Sequence, residues 1–239
     1  MDITVKEQSN QRKYALTASI SLIIMALVSF FSYGFAHASL VVKGDANATY
    51  NNIMAAPLLF KAEIFGWLII LITDIVVAWA FYIFLKPIHK NLSLLGAWLR
   101  LTYATILGIA ILNLIFVLLL TKNTNYVSVL KIDHLQAHMM LFLEAFESIW
   151  SIGLIIFGGH LMIVGYLAFK SSSIPTVISI LLLLASIGYI VIHLCNTFLP
   201  EYDGVISILT FVFTVPMIVG ELGFGIWLLL RGGNVHKSV

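Results

Sequence analysis

Six long apolar runs alternate with short stretches that carry Lys, Asn, Ser, Asp, Pro or Gly. Each run is longer than the roughly 20 helical residues needed to cross the hydrocarbon core of a bilayer. The pattern predicts helices over residues 14–36, 57–85, 92–121, 134–169, 174–199 and 205–230. Three of the turns between them hold residues that break or cap helices, namely Lys86-Pro87-Ile88-His89-Lys90-Asn91, Lys170-Ser171-Ser172-Ser173-Ile174-Pro175 and Pro200-Glu201-Tyr202-Asp203-Gly204. The connections at 37–56 and 122–133 are longer and fall on one side of the membrane. In the first of them Asp45 is placed to cap a short helix over Ala46–Ala55.

Composition agrees with this pattern. The 239 residues are 61% hydrophobic and 10% charged, whereas a soluble domain carries about a quarter charged residues. The fold class expected is an all-α, polytopic membrane helix bundle with six transmembrane helices. Residues 1–13 form an N-terminal segment, 14–231 the membrane domain and 232–239 a tail. Short loops rich in Lys and Arg stay in the cytoplasm. Lys6, Arg12, Lys13, Lys86, Lys90, Arg100, Lys170, Arg231 and Lys237 share one side, against Lys43, Lys61, Lys122 and Lys131 on the other. Both termini are therefore expected to be cytoplasmic, in a multi-pass protein of the cell membrane. Tyr14, Trp79, Tyr82, Trp98, Tyr166 and Trp227 lie near the inner boundary and suit an interfacial belt.

Ala36-His37-Ala38 after a basic start resembles the end of a cleavable leader. The apolar run before it exceeds the usual core of about 7–15 residues, which favours a retained helix. The net charge of +2 is small and its Lys and Arg are scattered, so no nucleic-acid surface is expected. Cys195 is the single cysteine, which excludes an intrachain disulfide and a thiolate metal cluster.

Ionisable residues inside the apolar runs carry the candidate chemistry, because each is costly to bury and tends to be paired or functional. At about 1.5 Å rise per residue, Asp74, Arg100, His160 and Glu221 come to one level in the cytoplasmic half. Asp74 and Glu221 can offset Arg100, and His160 can donate, accept or take up a proton. Gly153, Gly158, Gly159 and Gly165, with Gly220, Gly223 and Gly225, allow close backbone approach around His160 and Glu221. Pro216 frees a backbone carbonyl close to Glu221. The cluster reads either as a structural ion-pair network or as a polar pocket.

A second group lies towards the outside, made of Lys61, Glu63, His134, His138, Glu144, Glu147 and His193. Asp133-His134-Leu135-Gln136-Ala137-His138 puts two imidazoles on one helical face, the spacing of two ligands to one metal ion. Glu63, His193 or a loop residue could supply a third. His138 and His193 could instead be axial ligands of a haem.

The runs Ile152-Gly153-Leu154, Phe157-Gly158-Gly159-His160-Leu161 and Gly165-Tyr166-Leu167 carry a resemblance. Around them, in order, stand Asp74 ahead of Tyr82, Asn91-Leu92, Arg100-Leu101, Tyr103-Ala104, Ser171, Ile174-Pro175, Gly188-Tyr189, Gly220-Glu221-Leu222, Trp227-Leu228-Leu229 and Arg231-Gly232. This order resembles the bacterial and archaeal membrane family catalogued as domain of unknown function 4386, over about 14–233. The resemblance implies a multi-helix integral membrane protein and brings no established activity, substrate or cofactor. Asp74, Arg100, His160 and Glu221 match the family pattern, whereas His134, His138 and His193 do not. Lys61 stands where the family has Arg, which keeps the charge and loses planar bidentate pairing.

Three function classes follow. Binding or transport of a small molecule, a lipid or a proton by the inner cluster comes first, with the bilayer as partner. A structural or regulatory scaffold comes second. A metal-dependent intramembrane enzyme comes third, since no complete Ser/His/Asp, Cys/His or three-ligand constellation is present in the sequence.

Overall fold

The computed structural model describes residues 2–122 and 130–233, with side chains from Asn10 onward. Lys237 and the tail beyond Gly233, the side chain of Lys6, and residues 123–129 of the second long connection lie outside the described residues. Helix α1 spans Asp2–Ser29 and runs on through a π-helical stretch, Phe30–His37, into one further turn, Ala38–Leu40. Then follow α2 (Ala46–Ala55), α3 (Pro57–Leu85), α4 (Lys90–Leu120), α5 (Ile132–Phe169), α6 (Thr176–Phe198) and α7 (Asp203–Arg231), with a 3-10 turn at Pro200–Tyr202 before the last. No strand occurs among the described residues.

Six stretches are long and apolar enough to cross a membrane: Asn10–Leu40, Pro57–Leu85, Lys90–Leu120, Ile132–Phe169, Thr176–Phe198 and Pro200–Arg231. The chain is thus an all-helical, multi-pass membrane protein. The first helix is longer at both ends than its apolar core. Residues 2–13 are polar but hold no Pro or Gly to stop a helix. At the other end Gly34 is taken up in the π-helical stretch, where the Ala38 amide reaches back five residues to the Tyr33 carbonyl.

Two compact units make up the chain. One comprises Met1–Ile24, Thr73–Ala104 and Ser151–Val239, and the other Met25–Ile72 and Thr105–Trp150. In the first, α6 packs on α7 through small residues. A Cβ on Gly188 would stand 2.7 Å from the Cβ of Phe213, and one on Gly220 3.1 Å from the backbone of Leu181. Gly158 and Gly165 of α5 similarly admit Ile190 and Leu183 of α6. In the same unit Arg12 of α1 closes the C-terminus of α7. Its guanidinium donates to the carbonyls of Leu228 (2.9 Å), Gly232 (2.9 Å) and Leu229 (2.6 Å), satisfying groups that a helix end leaves open. Ser19 adds a bond to the Gly225 carbonyl at 2.7 Å.

In the second unit Asp45 caps α2 by accepting from the Ala48 amide at 2.8 Å, as its position in the sequence predicts. Asn52 ties α2 back to the Leu40 carbonyl, and Gln136 of α5 donates to Asn47 at 2.9 Å. Gly66 of α3 is where the π-helical stretch comes closest: a Cβ there would overlap the Ser32 hydroxyl.

Candidate functional site

Arg100 organises the first unit. It is 1% exposed, and a guanidinium in an apolar interior must be paired and hydrogen-bonded to persist. Its Nη2 lies 2.7 Å from Oδ1 of Asp74 on α3, a buried ion pair. Its Nη1 donates to Nε2 of His160 on α5 at 3.1 Å. The rings of Phe157 and Phe81 flank it, with centroids 5.2 and 5.9 Å from the guanidinium carbon, near enough for cation–π attraction.

Because arginine only donates, His160 must accept at Nε2, which leaves the proton on Nδ1. Nδ1 donates to the Gly96 carbonyl at 2.8 Å. Both ring nitrogens are thereby engaged and the imidazole is held in one neutral tautomer. Three of the four residues expected at one level are in direct contact, and His160 accepts from Arg100 while it donates to Gly96.

Glu221 on α7 has a different partner from the one its depth suggested. Its Oε1 accepts from the Tyr189 hydroxyl of α6 at 2.8 Å. Tyr189 stacks on His193, whose Nδ1 meets the Ser151 hydroxyl at 2.8 Å. Glu221 and Arg100 both line a cavity of about 10 Å³, walled otherwise by apolar side chains such as Leu22, Phe81 and Phe224. That is room for about one water. The glycines around the cluster divide. Gly158, Gly165 and Gly220 permit close approach, Gly159 and Gly225 make ordinary contacts, and Gly223 faces open space.

The second unit holds a polar group that the sequence pattern does not assemble. His37, at the end of the π-helical stretch, places Nδ1 2.7 Å from Oε1 of Glu63 on α3 and Nε2 3.3 Å from Oε1 of Glu147 on α5. The Tyr33 hydroxyl donates to the other oxygen of Glu147 at 3.4 Å, and the Tyr33 ring stacks on His37. Trp67, Phe146 and Trp150 pack edge to face beside them. Glu63 and Glu147 appear in the sequence as polar breaks in apolar runs. The sequence pattern puts His37 in a loop, because the apolar run predicts a helix that stops at Ala36.

The outer histidines are not drawn into a metal site with Glu63, whose carboxylate is engaged by His37. His134 and His138 are exposed, and Nδ1 of His138 donates to the His134 carbonyl at 2.6 Å. Among the described residues no group of three or more His, Cys, Asp or Glu is arranged to hold a metal ion. His138 belongs to the second unit and His193 to the first, each with the partner given above.

Comparison with known proteins adds two similarities. The family model described as domain of unknown function (DUF4386) matches residues 17–232. An uncharacterized protein of Archaeoglobus fulgidus is 31% identical over 177 residues, which cover 74% of this chain and 88% of that protein. No solved structure matches.

Proposed function

We propose that this chain, which belongs to the DUF4386 family of unknown function, is a protein of the cell membrane that binds and transfers a proton at Glu221. The observation that carries this reading is the cavity of about 10 Å³ that Glu221 and Arg100 both line. A buried water needs polar partners, and Glu221 and Arg100 are the two ionisable residues among those that line this space. Small-molecule pockets enclose about 300–1,000 Å³, so a proton carried with water fits this space where a lipid headgroup or solute does not. Arg100 is held by Asp74 and His160, and so acts as a fixed positive charge beside the cavity. Glu221 is the member that can change its charge, with Tyr189 steadying one oxygen.

The test is a pH gradient imposed across liposomes that contain the protein and a pH-sensitive dye. Wild-type protein is expected to dissipate the gradient, and Glu221→Gln to fall to the leak of protein-free vesicles. Dicyclohexylcarbodiimide, which attacks protonated carboxyls in apolar surroundings, is expected to modify Glu221 less as pH rises. Equal flux in wild type and Glu221→Gln, or wild-type flux equal to the bare leak, overturns the proposal. A scaffold is the second reading, and the closed chain Asp74–Arg100–His160–Gly96 is what favours it. It predicts loss of stability on mutating the cluster, with no flux to lose.

A further inference from the structure

The second unit holds a carboxylate–imidazole–carboxylate series whose members differ sharply in exposure. The Glu147 side chain is 38% exposed, His37 9% and Glu63 0%. Nδ1 and Nε2 of the same imidazole address carboxylates on two different helices, at 2.7 and 3.3 Å. A neutral imidazole donates from one nitrogen while it accepts at the other, which is what passing a proton requires. We propose that Glu147, His37 and Glu63 form a proton relay, with Glu147 as the entry, His37 as the shuttle and Glu63 as the buried store.

Two further observations bear on this. The Trp67 indole N–H faces the buried Glu63 carboxylate, which gives the proposed store a polar neighbour besides His37. The shuttle also stands at the end of a π-helical stretch. Such stretches are rare and recur at functional sites, and this one stacks Tyr33 on His37 with ring centroids 5.4 Å apart. The titratable groups that face His37 are Tyr33 on its own helix, Glu63 on α3 and Glu147 on α5. A metal ion is a poor occupant, because the two ring nitrogens point to separate carboxylates and not to a common centre.

The transfer balances without any redox partner. Glu147 takes a proton from water. The Glu147 O–H bond then breaks as His37 Nε2 gains the proton, and the Nδ1–H proton passes to Oε1 of Glu63. Glu63 becomes neutral and the imidazole is left as its other neutral tautomer. The reverse sequence restores both. The net change is one proton moved from water to a buried carboxylate.

This relay shares no residue with the Glu221 site and stands independently of it. Time-resolved infrared spectroscopy after an acid pH jump tests it in protein reconstituted in lipid. The protonated carboxyl band lost in Glu63→Gln identifies Glu63. In wild type that band is expected to rise promptly, and in His37→Gln about a hundredfold or more slowly. Glu147→Gln, a change at a partly exposed position, is expected to slow it likewise and carries the test if His37→Gln does not fold. Added imidazole is expected to restore the rate in His37→Gly. Glu221→Gln is expected to leave the band unaltered, so failure of one proposal is separable from failure of the other. A Glu63 band that rises as fast in Glu147→Gln as in wild type, or no Glu63 band at any pH, overturns the relay.

Discussion

At the scale of single residues, the burial of Arg100 commits three helices to one charge. Asp74 on α3 neutralises it, and His160 on α5 accepts from it. Removing one partner of a buried pair leaves the other charge without compensation, which typically costs about 3–5 kcal/mol. Asp74→Asn keeps the shape and removes the charge, so it is expected to destabilise the protein by about 3 kcal/mol or more. Thermal unfolding in detergent measures this, and an unchanged midpoint contradicts it. The double variant Asp74→Leu with Arg100→Met removes both charges and is expected to lose less than Asp74→Asn alone. The participation of Asp74, Arg100 and His160 was legible in the sequence because each interrupts an apolar run. Their partners were legible only in part. Position along a helix gives depth at about 1.5 Å per residue, but not the direction in which a side chain points. Helices apolar nearly all round carry little information on that direction, so Glu221 was matched to Arg100 by level while Tyr189, on the neighbouring helix, takes its hydrogen bond.

At the scale of elements, the contacts of α6 with α7 distinguish glycines that matter from glycines that do not. Gly188 faces Phe213 at distances that leave no room for a methyl group, whereas nothing stands within 4 Å of a Cβ on Gly223. Gly188→Ala is expected to destabilise by about 1–3 kcal/mol through overpacking. Gly223→Ala is expected to be neutral or to stabilise by up to about 1 kcal/mol through helix propensity. Paired melting curves in one detergent check both, and equal effects of the two substitutions contradict this account. Element positions were well marked in the sequence. Pro87 and Pro175 lie in turns, and Asp45 caps α2 as expected. The π-helical stretch was not marked. Phe30–His37 reads as the end of an apolar run followed by a loop, and no local rule separates an i→i+5 turn from a helix about to stop. The same extension carries His37 to Glu63 and Glu147, a pairing that the sequence pattern does not show.

At the scale of the whole molecule, six stretches are long and apolar enough to cross a membrane, and an even number of crossings would put both ends of the membrane domain on one side. The distribution of Lys and Arg predicts that this side is the cytoplasm. Since Cys195 is the single cysteine, Cys195→Ser provides a background for mapping. In that background His89→Cys is expected to react with a membrane-impermeant maleimide only after the inner face is exposed. Gly44→Cys is expected to react in intact cells. The opposite pattern would invert the orientation, and labelling of both positions from one side would contradict the crossing number. The fold class was recoverable from composition and run length alone, because a bilayer demands long apolar helices whatever the protein does.

The bonds from Arg12 to Leu228, Leu229 and Gly232 have a temporal meaning as well. A guanidinium near the start of α1 finds its acceptors only after α7 has been synthesised. During translation the first helix must therefore wait in the membrane with those bonds unmade, and their closure marks the point at which the first unit is complete.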